Sequence, residues 1–317
     1  MKKRMIQINL YISFCLFLFP LIGFSGTIFQ ENFDDANFAS RGWYDGNTGT
    51  VDTNNHISGS TASLICHFLQ GGTNCNPADG MYALRHKFTP TSSIYMSYWV
   101  KHSANWVGSG KSYHPHMFIL LTNLNDDYAG PAYSHLGAYV EENQGYPQLV
   151  IQDGQNIDET KIGVDLTSIS ENRSIAGCNG NQSVGQNQNE CYASGSVHWN
   201  GVTWKGASAV FFDPAQITNW HFVEAYFQLN TVSNGIGQQD GILRYWFDGK
   251  LVIDHSNVIL RTGQNPTMQF NQVIFSPYIG DGSPADQTFW IDDLTLATTR
   301  QTGTTSRPSP PTNLKAQ

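Results

Sequence analysis

Hydrophobic and polar residues alternate over much of this chain. Across residues 221–230, Val223, Ala225, Phe227 and Leu229 fall on one side, and Phe222, Glu224, Tyr226, Gln228 and Asn230 on the other. A period of two marks a strand with one face on a core and one toward solvent. Residues 241–249 repeat the pattern, with Leu243, Tyr245 and Phe247 opposite Ile242, Arg244, Trp246 and Asp248. Asp248-Gly249 predicts a tight hairpin turn before Leu251 and Val252. Similar runs predict strands over 81–88, 94–101, 116–121, 136–141, 148–152, 272–278 and 289–297. Helical periodicity is rare, and Gly, Asn, Asp and Pro punctuate the runs. Ten or more short strands predict an all-β chain folded as a two-sheet antiparallel jelly-roll sandwich.

The ends alter that picture. Lys2, Lys3 and Arg4 precede an apolar run broken by Gln7, Asn9 and Pro20, which closes on Gly23, Ser25 and Gly26. This is the pattern of a cleavable signal peptide over 1–26, and it predicts a secreted or periplasmic protein. A membrane anchor competes, because the run approaches the roughly 20 apolar residues of a span. Pro20 and the small residues favour cleavage, and Cys15 lies too far inside the run for a lipoprotein. Residues 27–297 then form one jelly-roll domain, with a Gly-, Asn- and Gln-rich loop at about 171–206. A disordered Thr/Ser/Pro tail follows over 298–317.

Losing the leader removes three positive charges and no acids, taking the formal charge from −8 to −11. That argues against nucleic acid, which needs a basic face. It leaves room for an anionic polysaccharide met by a local basic cluster. Four cysteines remain: Cys66, Cys75, Cys178 and Cys191. In an exported chain they predict disulfides, with Cys66–Cys75 and Cys178–Cys191 suggested by nearness among three possible pairings. A zinc site is the rival, with unusual spacing.

Several segments resemble the concanavalin A-like jelly rolls of polysaccharide lyases, lectins and glucanases. They are Phe29-Gln30-Glu31-Asn32-Phe33-Asp34-Asp35, Arg41-Gly42-Trp43-Tyr44-Asp45-Gly46, Tyr98-Trp99-Val100-Lys101, Tyr245-Trp246-Phe247-Asp248-Gly249-Lys250 and Trp290-Ile291-Asp292-Asp293-Leu294. The likeness covers nearly all of the chain after the leader, through motifs that are individually weak. It implies a sheet whose polar face grips a sugar chain. Glu224, Tyr226, Gln228, Asn230, Arg244 and Trp246 are the candidates for that face, with Trp246 a stacking plate. Lys101 and Lys111 are added as substrate-binding cations. A solvated outer face would carry similar residues.

The densest titratable chemistry lies in Lys111-Ser112-Tyr113-His114-Pro115-His116. Cleavage of an acidic polysaccharide by β-elimination needs a base beside a uronate carboxylate, an acid for the leaving oxygen and a donor that neutralises charge. His114 or His116 as base, Tyr226 as acid, and Arg244 or Arg85 as neutraliser meet that need. Two loop-bridging histidines are the plainer alternative. A hydrolase needs paired carboxylates; Glu141, Glu142, Glu224 and Asp153 are available but not closely spaced on one strand. His221 and His255 read as structural. Resemblance also implies a structural calcium at Glu31, Asp34 and Asp293, beside Asp292, with the 281–286 loop a second possibility.

Two functions follow: a secreted polysaccharide lyase, or a non-catalytic carbohydrate-binding or adhesive module on the same face. A structural envelope protein is a third. The partner is a polysaccharide and the state a monomer, with no membrane contact after cleavage. Separation of His114 and His116 from the Tyr226 face would lose this lyase scheme and put the binding module in the lead.

Overall fold

The computed structural model describes residues 26–301 apart from 47, 77, 79–82, 112, 131–133, 154–191, 195–196, 207–212, 262 and 264. The segment predicted as a signal peptide up to residue 25, Cys178, Cys191 and the predicted tail beyond residue 301 lie outside the described residues. The first strands are β1 (Thr27–Glu31), β2 (Trp43–Asp45), β3 (Thr50–Asp52), β4 (Ser63–Phe68), β5 (Leu84–Thr91) and β6 (Ser93–His102). Next come β7 (His116–Thr122), β8 (Gly137–Asn143), β9 (Tyr146–Asp153), β10 (Tyr192–Ser194), β11 (Val197–Lys205) and β12 (His221–Gln228). The last six are β13 (Val232–Ser233), β14 (Ile236–Gly237), β15 (Gly241–Phe247), β16 (Lys250–Val258), β17 (Phe270–Tyr278) and β18 (Gln287–Ala297).

They build two antiparallel sheets, the predicted sandwich. One runs β16-β15-β12-β6-β18-β4-β3, with β1 also on β18. The other runs β10-β11-β9-β8-β7-β17-β5-β2, and β13-β14 is a small hairpin apart. Between the sheets lies one apolar core. Tyr98, Val223, Phe227, Leu243 and Tyr245 enter it from the first sheet, and Phe118, Val140, Leu149 and Phe275 from the second. Alternation therefore reads correctly: the partners of Phe227 and Tyr245 in sequence point outward.

The hairpin turn forms where expected. Asp248 (φ 48°) and Gly249 (φ 79°) are both left-handed, as a type I′ turn requires. Cys66 and Cys75 are joined by a disulfide, with Cα atoms 5.2 Å apart. The end of the stretch expected to be loop is strand instead: β11 pairs with β9 from Asn200–Asp153 to Lys205–Gln148. Its alternating Val202, Thr203 and Trp204 were masked by surrounding Gly and Asn. No helix among the described residues is long and apolar enough to cross a membrane.

Candidate functional site

The predicted site is divided between the two outer faces of the sandwich. Tyr226, Arg244, Glu224, Gln228 and Trp246 lie on β12 and β15 of the first sheet, while His116 opens β7 of the second. Sheets pack about 10 Å apart, and these side chains point away from each other across the core. Tyr226 and Arg244 are thus removed as partners of His114 and His116.

The first sheet's outer face is occupied by its own bonds. Arg300 clasps Glu224 through Nε and Nη2, each at 2.8 Å. Its guanidinium lies 4.3 Å from the Trp246 ring centroid. Tyr95 donates to Glu224 at 2.9 Å, Tyr226 to Gln228 at 2.9 Å, and Arg244 to Asp254 at 2.7 Å. Trp246 is 7% exposed, so it is no open plate for a sugar. Asn230 is buried and holds backbone instead: its Oδ1 accepts from Leu260 and Arg261 N–H, and its Nδ2 donates to Thr231 and Arg261 carbonyls. Lys101 donates to Asn55 and lies over Trp290, on the same sheet.

On the second sheet, β7 and β8 carry a different set. His116 Nδ1 lies 2.7 Å from Glu141 Oε2. Glu141 is 2% exposed, and its other oxygen accepts from Asn143 Nδ2, which also donates to Gln148. Tyr139 follows on the same face, donating to Gln152 at 2.8 Å with its ring 4.4 Å from that of His116. Tyr278 on β17 is the cross-strand partner of His116, and their rings lie 6.5 Å apart at 17°. Neither His116 Nε2 nor the Tyr278 hydroxyl has a hydrogen-bond partner among the described residues. His114 packs edge-on against His116 at 4.6 Å and against Tyr278 at 5.3 Å. At the rim, exposed Lys111 and Tyr113 both bond Asp281, at 2.8 and 2.7 Å. Those bonds hold the Asp281 carboxyl below its usual range.

Arg85 shares this face but not this place. It sits opposite Ile274, which pairs with Ile119, three residues past His116. Two strand spacings and three residues of rise put it roughly 14 Å from His116. It is held there by Asp45, Gln272 and the Ala129 carbonyl. Between them lie the buried side chains of Ile119 and Ile274, which pair across β7 and β17.

The hydrolase carboxylates are not brought together. Glu141 and Glu142 are successive residues, so they leave β8 on opposite faces. Glu142 turns inward to Trp106 Nε1 at 2.8 Å and His102 Nε2 at 3.5 Å, and burial pushes its carboxyl up to about 7. Glu224 is in the other sheet, and the Asp153 side chain lies outside the described ones. His221 bridges Asp248 and the Gln216 carbonyl, a structural role.

The residues do not fit the predicted calcium. Both Glu31 oxygens are engaged, one by Phe33 N–H and one by Arg41 and Trp43. Asp34 accepts from Thr61 and Ala62, and Asp292 from Ile57 and Ser60. Asp281 is bound as above, and Asp286 accepts from Gln70 N–H. Burial and then the Asp34 charge raise Asp293. Among the described residues no three His, Cys, Asp or Glu side chains gather in a way that could hold a metal.

No family model matches this sequence, and no curated protein matches it. Solved structures do. An alginate lyase from Aplysia kurodai aligns at 12% identity with a TM-score of 0.48, over 87% of this chain and 98% of its own. One from a Chlorella virus aligns at 12% and 0.45, over 79% and 90%. An endo-β-1,4-glucuronan lyase from Trichoderma reesei aligns at 14% and 0.43, over 80% and 87%. The likeness is one of fold. What the site does is argued from its own side chains.

Sequence reasoning overlooked Tyr278 and Tyr139 and weighed Glu141 only as a hydrolytic acid. Tyr278 ends a recognisable strand, but only the pairing of β17 with β7 brings it to His116.

Proposed function

We propose that this protein is an exported polysaccharide lyase that cleaves an acidic polysaccharide by β-elimination on the outer face of β7, β8 and β17. The observation that carries the reading is the polarity of His116. With Glu141 accepting at Nδ1, the neutral ring has its proton there and a lone pair at Nε2. A base with no other partner among the described residues then stands beside a phenol with none among them. This meets the reason for requiring an acid on the histidine face, with Tyr278 in place of Tyr226.

In the reaction, His116 Nε2 takes the proton from the carbon beside the uronate carboxylate. The electron pair left behind forms the carbon–carbon double bond as the glycosidic carbon–oxygen bond breaks. Tyr278 donates its proton to the departing oxygen. Glu141 stabilises the imidazolium formed and fixes the ring's orientation. Lys111 at the rim supports attraction of a negatively charged chain, and the leader pattern at 1–26 supports export.

The test is ultraviolet absorbance of the purified protein incubated with alginate, pectate, glucuronan and neutral glucans. Growth of the unsaturated-uronate band on one acidic polymer is the expected result. A folded protein that leaves every polymer intact, yet is retarded by one of them on an affinity gel, overturns the lyase for the binding module.

A further inference from the structure

His114 and His116 present opposite hydrogen-bond polarity. The partner of His114 Nδ1 is the Gly280 backbone N–H, at 3.0 Å. A backbone N–H only donates, so Nδ1 must offer its lone pair and the neutral ring carries its proton on Nε2. His114 Nε2 has no acceptor among the described residues. Thus a ring that carries its proton on Nε2 packs beside one that carries its lone pair there, with centroids 4.6 Å apart.

Resting on the lyase reading for its chemistry, we propose that His114 is a second catalytic residue: a neutral Nε2–H donor to the uronate carboxylate. As the neighbouring proton leaves for His116, negative charge moves onto that carboxylate. A fixed donor aimed at developing charge lowers the barrier without giving up its own proton.

The surroundings keep His114 neutral. Burial, followed by the charge of His116, pushes it down to about 4. Lys111 adds to this and Asp281 opposes it; Tyr113 and Tyr278 complete the ring of neighbours. His114 also has a left-handed backbone, φ 58°, a conformation rare outside glycine and common at functional positions. Gly280 is the positioning residue. A Cβ there would stand 2.8 Å from His114 Cε1 and 3.2 Å from the Tyr278 ring, so glycine lets both rings close on the backbone.

The experiment is long-range proton–nitrogen NMR of the histidines in the full chain, with and without glucuronate, which has no glycosidic bond to cleave. His114 is expected to show a bare Nδ1 and a protonated Nε2 from about pH 8 to about pH 5, and glucuronate to shift the Nε2 proton. Gly280→Ala, in folded protein, is expected to scramble that tautomer. An Nδ1–H His114, a midpoint near the ordinary histidine value, or no response to glucuronate overturns the donor. In turnover, His114→Gln keeps an N–H donor and is expected to retain about tenfold more kcat than His114→Ala. Equal losses at equal stability overturn the role. The two readings fail separately: polymer cleavage with an Nδ1–H His114 removes only the donor, and the expected tautomer and glucuronate shift without cleavage removes only the lyase.

Discussion

The two outer faces of the sandwich carry similar residues and differ in what those residues are already doing. On β12 and β15, Glu224, Arg244, Tyr226 and Trp246 are all matched within the protein, by Arg300, Asp254, Gln228 and the Arg300 guanidinium. On β7 and β17, His116 has one nitrogen fixed by Glu141 and the other open, and Tyr278 is 39% exposed with its hydroxyl unmatched among the described residues. A face with Trp, Tyr, Arg and Glu is therefore not in itself a binding surface. Chemistry requires donors and acceptors that the fold holds in place on one side and leaves available on the other.

Substitutions on each face test that contrast. The largest effect is expected from His116→Gln, which removes the base and should lower kcat by about 10²–10⁴-fold with the thermal midpoint little changed, measured as product absorbance. Tyr278→Phe should follow at about 10²-fold, whereas Tyr226→Phe should stay within about twofold; a reversed order would return the acid to the first sheet. Trp246→Ala should cost about 3 kcal/mol of stability, read by denaturant unfolding, with KM unchanged. A raised KM at unchanged stability would restore that face as a platform.

Smaller again is Glu142→Gln, which serves as a control inside the core. The raised folded value means the folded protein holds a proton the unfolded chain releases, so stability falls as pH climbs from about 4.5 through about 7. The glutamine should remove this contribution and stabilise the protein by about 2 kcal/mol at pH 8. The buried neutral histidines run the other way. His102 and His114, held down to about 3 and about 4, favour the folded state increasingly as pH rises through those values toward about 6.5.

The fold was legible because a sheet's pattern is local. Val223, Ala225 and Phe227 alternate with polar neighbours whatever lies across the strand, and Asp248-Gly249 carries its turn in two residues. The site was legible only in part. His114 and His116 could be singled out by their concentration of chemistry, and Glu141 as a carboxylate on a strand. Their companions could not, because Tyr278 reaches His116 only through the pairing of β17 with β7, two strands 162 positions apart at that contact. Arg85 shows the reverse error: the right face, but displaced along it by the register through Ile274.

Alternation and turn chemistry thus determined strands and sidedness, while the short spacing of Cys66 and Cys75 suggested a disulfide that the tertiary structure then decided. Sheet order and register decided which outward residues meet, since both depend on contacts distant in sequence. Tertiary packing also decided which polar groups stay available. Arg300 covers Trp246, and Gly280 directs its N–H into His114. Each is set by a partner that no local pattern encodes.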